Sequence, residues 1–275
     1  MQKTRISFIG AGNMGRSLIG GLIANGYPAE LLSAADPDAS QRQQLASLFN
    51  VSVFESNEQA LAGSEVVVLA VKPQAMRATL QGMLDGIKQA QPLVISIAAG
   101  IRLSAISAII GENLPIIRVM PNTPSLIQAG AAALFANPQV NEPQRELAEA
   151  IMRSVGVTVW LDEEKKLDTV TALSGSGPAY YFLFMEAMEK AAVKLGLDEE
   201  QARLLTLETA FGAAKMALES SHDPAVLRQQ VTSPGGTTES VLSVLEQGKL
   251  PELVANAIAA ANTRSIELAD EFEDN

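Results

Sequence analysis

Three glycines spaced as Gly10-Ala11-Gly12-Asn13-Met14-Gly15 are the first residues of this chain whose types and spacing carry chemistry. A G-x-G-x-x-G run alone is a weak signal, because glycine triplets occur in many loops. Here it follows the strand-like Arg5-Ile6-Ser7-Phe8-Ile9 and opens a helical pattern from Met14 to Asn25, the context a dinucleotide fingerprint requires. The first glycine permits the tight turn, the second admits the pyrophosphate, and the third lets the helix pack on the strand. The helix N-terminus presents free N–H groups and a partial positive charge to the phosphates. The pattern predicts a nicotinamide dinucleotide held along Ile9 to Gly15. The alternative is a strand–helix loop without a ligand.

The acidic residue expected about 20 positions further on is Asp36, at the end of a second strand-like run, Leu31 to Ala35. A carboxylate there accepts hydrogen bonds from the ribose 2′-hydroxyl of NAD and repels the 2′-phosphate of NADP. Equally, Asp36-Pro37 or Asp38 suits the N-cap of the next helix. Arg42, one turn into that helix, is within reach of a 2′-phosphate, so both NAD and NADP stay open. Two more loops fall at carboxyl ends of strands, where open α/β sheets bind ligands. They are Ala70-Val71-Lys72-Pro73 and Ser96-Ile97-Ala98-Ala99-Gly100. Spacing alone favours an ordinary surface lysine at Lys72.

Further along, Ser174-Gly175-Ser176-Gly177-Pro178 and Ser233-Pro234-Gly235-Gly236-Thr237-Thr238 each precede a helical pattern. A helix N-terminus after a glycine-rich turn is an anion site that needs no basic side chain. Simple capping explains either loop taken singly. Two such loops downstream of a cofactor loop favour a ligand. His222 lies in the polar turn Ser221-His222-Asp223-Pro224 and reads as a surface residue. One histidine and no cysteine argue against a transition-metal site and leave only an all-oxygen Mg²⁺ site open.

These residues need a frame. The first part of the chain alternates β-branched runs with helical patterns: Glu65 to Val71, Leu93 to Ile97 and Ile116 to Met120 join the two strands above. The nearly continuous apolar character of Glu65 to Val71 suits a strand buried on both faces. This alternation predicts an α/β fold, a Rossmann-like doubly wound parallel sheet with right-handed crossovers. After Trp160 no strand pattern remains. Apolar residues at Phe182, Met185, Ala187, Met188 and Ala191, and the stretches 199–219 and 251–271, read as helices. The expected organisation is therefore a dinucleotide-binding domain over 1–161 and an all-helical domain over 162–275, with a frayed acidic end from Asp270 to Asn275.

Of 275 residues, 47% are hydrophobic and 19% charged, a globular composition. Thirty-one acidic against 20 basic residues give −11, which disfavours a nucleic-acid partner. The longest clean apolar run, Val66 to Val71, is far short of the ~20 residues of a membrane span. The opening residues run straight into a strand pattern without a cleavable apolar leader. With no cysteine, the expectation is a cytoplasmic protein.

Taken in order, Gly10-x-Gly12-x-x-Gly15, Ala70 to Pro73, Ala98 to Gly100, Met120-Pro121-Asn122-Thr123-Pro124, Leu173 to Ala179 and Val231 to Thr238 resemble pyrroline-5-carboxylate reductases. The resemblance runs from Ile6 to about Arg264, and the last two motifs are its most specific part. It implies reduction of the cyclic imine 1-pyrroline-5-carboxylate to L-proline by hydride from NAD(P)H. It also implies a helical half that interlocks with a second subunit, as a dimer or a larger assembly up to a decamer. Asn57 would contact the adenosine side of the cofactor, Asn122 the cofactor, and Glu164 the proline site. Asp36 departs from the family: NADP-using relatives often carry serine there, which counts against NADP. The substrate's carboxylate would be captured by the backbone of Ser174 to Gly177 and of Ser233 and Gly235 to Thr238. Thr238, the family's proposed catalytic threonine, would hydrogen-bond the imine nitrogen.

Two rivals remain. A β-hydroxyacid or 6-phosphogluconate-type dehydrogenase shares the two-part organisation but needs a general base, commonly a lysine on the first helix of the second domain. Here that helix carries Lys190 and Lys194 well past its start. A dinucleotide sensor without turnover would keep the fold alone.

Overall fold

The computed structural model describes residues 3–274; Met1, Gln2 and Asn275, including one end of the acidic tail, lie outside the described residues. Eight strands form one sheet: β1 (Ile6–Ile9), β2 (Leu32–Ala35), β3 (Ser52–Phe54), β4 (Val66–Leu69), β5 (Leu93–Ser96), β6 (Ile116–Met120), β7 (Gly130–Ala136) and β8 (Gly156–Trp160). Their order is β3-β2-β1-β4-β5-β6-β7-β8. The first six strands follow the Rossmann order, whose switch point lies between β1 and β4. All residues of β1, β4 and β5 are buried, as helices on both faces require. One core cluster gathers Phe8, Leu18, Val68 and Ile95; the other gathers Ile9, Leu69, Met76 and Ile106.

The sheet differs from the expected all-parallel one. β7 runs antiparallel to β6, and β8 is parallel to β7. The sequence reading also passed over β3, β7 and β8. β7 reads Gly130-Ala-Ala-Ala-Leu-Phe-Ala136, a composition with little intrinsic strand preference. Its pairing with β6, rather than its residues, makes it a strand.

Residues up to Ser176 together with those from Ala261 onward form one compact unit, and Gly177–Ala260 form a second. The boundary expected at 161/162 therefore falls inside the first unit. The helix Lys166–Val170 belongs there because Leu167 and Asp168 are buried. The Asp168 carboxylate accepts a hydrogen bond from Ser265 Oγ at 2.8 Å, which draws in the last helix, Leu250–Asp274. The acidic end, expected to be frayed, is helical through Asp274 and packs on the first unit as far as Glu273. Arg102 pairs with Asp270 at 2.8 Å and Ser104 donates to Glu273 at 2.6 Å. Arg77 lies 5.4 Å from the Phe272 ring centre.

Beyond Trp160 the described residues contain helices and no strand. The second unit contains Gly177–Lys194 up to Ala260, by way of Glu199–Glu219, Pro224–Gln230 and Thr237–Gln247. In it only Gly177, Ala202 and Thr206 are fully buried, while Phe182, Leu183, Leu204 and Phe211 are all at least 60% exposed. Helices apolar on faces their own unit leaves uncovered are those that bury in an assembly.

Candidate cofactor and substrate site

The glycine loop sits at the switch point, between the carboxyl ends of β1 and β4. Its three glycines have different physical reasons. Gly10 has φ +102°, and a Cβ there would lie 2.6 Å from the Ala70 carbonyl oxygen, so the β1 and β4 loops touch. A Cβ on Gly15 would overlap the Gly10 carbonyl oxygen. A Cβ on Gly12 would meet nothing within 4 Å. Gly12 is also the N-cap of Asn13–Ala24 and offers no side-chain acceptor to the first-turn amides. The loop is thus closed by backbone on two sides and open where a pyrophosphate would approach, which fits a dinucleotide.

Not every residue of the run faces that opening. Ile9 and Ala11 are buried, and the Ile9 carbonyl accepts the Ala70 N–H at 2.8 Å. Met14 packs against the core, and the Asn13 side chain accepts from Arg16 at 3.1 Å.

Of the two aspartates suited to the N-cap, Asp38 takes that role. The N-cap of Ala39–Phe49 is Asp38, whose side chain accepts the Ser40 N–H at 2.7 Å. Hydrogen bonds from Ser40 hold the Asp38 carboxyl below the usual carboxylate range. Asp36 accepts the Ala11 N–H at 2.8 Å and the Asp38 N–H at 2.9 Å, tying the glycine loop to the end of β2. Arg42 donates to the carbonyls of Asp36 (2.7 Å) and Pro37 (2.9 Å) and lies 3.5 Å from Glu55. These bonds hold the loop after β2 against the helix Ala39–Phe49. Asn57 opens the short helix after β3, half-buried, and the Asp36 N–H bonds to the Phe54 carbonyl at that same sheet end.

The loops after β4 and β5 lie at the same carboxyl edge. Ala98 and Gly100 are buried, Val71 and Pro73 half-buried, and the Lys72 side chain is exposed as the spacing suggested. Glu164, carried over to the proline site, is engaged within the first unit. It accepts from Arg118 at 2.5 Å and from the Leu103 N–H at 2.7 Å. Arg118 is 7% exposed. A buried guanidinium needs such a partner, because an unpaired charge there is costly. A lone arginine in the apolar run Ile116-Ile117-Arg118-Val119-Met120 was the available signal for this pair, and the sequence reading did not use it.

Asn122 has both ends of its amide occupied: Oδ1 accepts the Ala131 N–H at 2.9 Å and Nδ2 donates to the Ser174 carbonyl at 3.1 Å. Ser174 and Gly175 lie in a π-helical turn, Thr171–Gly175, rather than in an open loop. The Ser176 N–H bonds the Thr171 carbonyl at 2.9 Å, so fewer amides are free here than a loop would offer. Single π turns inside helices often mark functional positions. Pro178 falls in the first turn of the next helix, where a missing N–H costs nothing.

In the second unit, Gly236 caps Thr237–Gln247 without a side-chain bond. Gly235 has φ +71°, and its N–H is held by Glu239 at 2.7 Å. Ser233 accepts the Gly236 N–H through its carbonyl at 3.0 Å. Thr237 and Thr238 follow in the first turn of that helix, whose amides have no intrahelical partner.

Among the described residues no group of three or more His, Asp or Glu side chains is placed to hold a metal ion, and no helix is long and apolar enough to cross a membrane.

Comparison with known proteins extends this picture over the whole chain. Residues 164–268 match the family described as pyrroline-5-carboxylate reductase dimerisation, and residues 5–100 match NADP oxidoreductase coenzyme F420-dependent. The pyrroline-5-carboxylate reductase of Pseudomonas aeruginosa is 51% identical over 272 residues, 99% of each chain. That of Pasteurella multocida is 43% identical over 99% of this chain and 100% of its own. The structure of the Coxiella burnetii pyrroline-5-carboxylate reductase superposes with a TM-score of 0.93 at 44% identity, covering 98% of this chain and 99% of that one. A Plasmodium falciparum pyrroline carboxylate reductase with NADP bound gives 0.86 at 31% identity, again over 98% and 99%. With identity of this order from end to end, the chain belongs to the pyrroline-5-carboxylate reductase family.

Proposed function

We propose that this chain reduces 1-pyrroline-5-carboxylate to L-proline with NAD(P)H. The single observation that carries the reading is a glycine loop open only at Gly12, in a chain 51% identical throughout to a pyrroline-5-carboxylate reductase. Bound at that loop, the reduced nicotinamide supplies hydride to the carbon of the C=N bond, and a proton completes the nitrogen. The remaining chemistry is orientation and proximity. The first-turn amides of Thr237–Gln247 would take the substrate carboxylate, with Ser233, Gly235 and Gly236 shaping the turn before them, since the Gly235 and Gly236 N–H groups are bonded to Glu239 and Ser233. The family resemblance assigns a substrate role to the Ser174 to Gly177 segment as well, and Glu164 would act through Arg118 rather than by direct contact. Thr238, whose hydroxyl both donates and accepts, would hydrogen-bond the imine nitrogen.

Thr238→Ala is expected to lower kcat/KM for the imine about 10-fold or more, the scale of one lost hydrogen bond to a reacting group. Initial-rate kinetics check this, and wild-type constants would remove Thr238 from the mechanism. Asp36→Ser separates two functions of one carboxylate. If Asp36 repels a 2′-phosphate, the ratio of kcat/KM for NADPH over NADH rises about 10-fold in the variant. If it serves only to hold the Ala11 N–H, both cofactors lose efficiency together.

The dehydrogenase rival needs a free lysine base. Lys190 is exposed and ion-paired with Glu186 on its own helix, and Lys194 lies in that helix's last turn. The family's dimerisation region covers the second unit, and the chain self-associates through it. Its uncovered apolar helices support an interlocked dimer as the smallest assembly, with a decamer as the larger alternative.

A further inference from the structure

Asn122 stands at the carboxyl end of β6, and its position invites a direct role in holding cofactor. Its hydrogen bonds give it a structural role in the protein as well. The amide oxygen can only accept and the amide nitrogen can only donate. The first meets an N–H, that of Ala131 on β7, and the second meets a carbonyl, that of Ser174. The orientation of the side chain is fixed by those two partners. It bridges the sheet to the π-helical turn Thr171–Gly175, across 52 residues of sequence. A second contact repeats the link: the Met120 side chain, two residues earlier on β6, occupies the space a Gly175 side chain would need. The end of β6 therefore touches two successive residues of the turn, Ser174 by hydrogen bond and Gly175 by packing.

We propose that Asn122, seconded by Met120, is a positioning residue for hydride transfer. It sets the distance between the sheet edge that carries the cofactor loops and the turn that lines the substrate. The proposal rests on the reductase reading above. Its physical basis is that hydride transfer needs donor and acceptor atoms at near-contact distance, so a displacement of about 1 Å costs up to about 100-fold in rate. In this role Asn122 acts through its bonds to Ala131 and Ser174, and the test separates that from a direct contact with cofactor.

The test compares Asn122→Asp and Asn122→Ala in the full chain with wild type. Aspartate keeps the acceptor for the Ala131 N–H and replaces the donor facing the Ser174 carbonyl with an oxygen that repels it. Alanine loses both bonds. Each protein is assayed for imine kinetics, for NADPH dissociation constant by fluorescence titration, and for thermal midpoint. The expected result for Asn122→Asp is a kcat/KM for the imine at least about 10-fold lower, with the NADPH dissociation constant within about 2-fold of wild type. Its thermal midpoint should lie closer to wild type than that of Asn122→Ala, while its imine kinetics are as impaired. Wild-type imine kinetics in Asn122→Asp overturn the proposal. So does an NADPH dissociation constant that rises in step with the loss, which makes Asn122 a cofactor ligand. A loss that disappears once rates are corrected for folded fraction makes it merely structural and overturns it too. Absence of imine turnover in the wild-type protein overturns the reductase reading itself, and the positioning role with it.

Discussion

Gly15→Ala is expected to destabilise the protein by about 3 kcal/mol and to abolish measurable NADPH binding, whereas Gly12→Ala should fold as wild type and bind NADPH 10- to 100-fold more weakly, at the order-of-magnitude level. The two substitutions add the same methyl group, so the difference is one of surroundings. At Gly15 the methyl would overlap the Gly10 carbonyl oxygen, a backbone atom that cannot swing aside as a side chain can. Relief requires moving the helix Asn13–Ala24 away from β1, and with it Leu18 and Ile19, which are fully buried. At Gly12 the methyl meets no protein atom within 4 Å, and the backbone there (φ −66°, ψ −173°) is one any residue adopts. Replacing glycine by alanine at an N-cap costs about 0.5–1 kcal/mol, well below the cost at Gly15. What the methyl does occupy is the space through which a pyrophosphate reaches the first-turn amides. Thermal melts without ligand, followed by NADPH titrations, check both halves. Normal NADPH affinity in Gly12→Ala would show that the phosphates lie elsewhere.

Phe211→Asp is expected to convert the assembly to monomers at micromolar concentration and to cut specific activity at least 100-fold on an order-of-magnitude scale. Phe211 lies mid-way along Glu199–Glu219 and is 65% exposed on a single chain. Leu204 and Leu205 on the same helix, and Phe182 to Phe184 on Gly177–Lys194, are at least half exposed as well. So large a set of uncovered apolar side chains marks an interaction surface, and the family match assigns this region to dimerisation. A carboxylate introduced among them must be desolvated without a partner, at a cost of several kcal/mol. Light scattering after size exclusion, with activity measured on the same fractions, reads the outcome. An active dimer carrying Phe211→Asp would place the interface on another surface.

The two predictions differ in how far the residues announced them. The glycine loop was legible because its demands are local. Tight turn, close approach and helix packing each act within a few residues, so spacing alone encodes them. The apolar helices were legible as helices, but their surplus of exposed phenylalanine and leucine required knowing what the chain itself covers. Asp36 lay in between. Its place at the end of β2 was foreseen; its bond to the Ala11 N–H was not, because that contact depends on β1 and β2 lying side by side. The Glu164–Arg118 pair and the Asn122–Ser174 bridge join residues 46 and 52 positions apart, distances over which no periodicity carries information.

The sequence by itself determined the α/β and helical halves, the dinucleotide loop, the family and hence the reaction, since each is written in short-range spacing or in motif order. Tertiary structure alone decided which glycine has open space before it, that β7 turns antiparallel, that the last helix returns to the first unit, and that Asn122 bonds the turn Thr171–Gly175. The physical reason is the same in each case. Those outcomes depend on which backbone carbonyls, amides and side chains meet after the sheet has closed, and the strand order that brings them together is a property of the packed chain rather than of any segment in it.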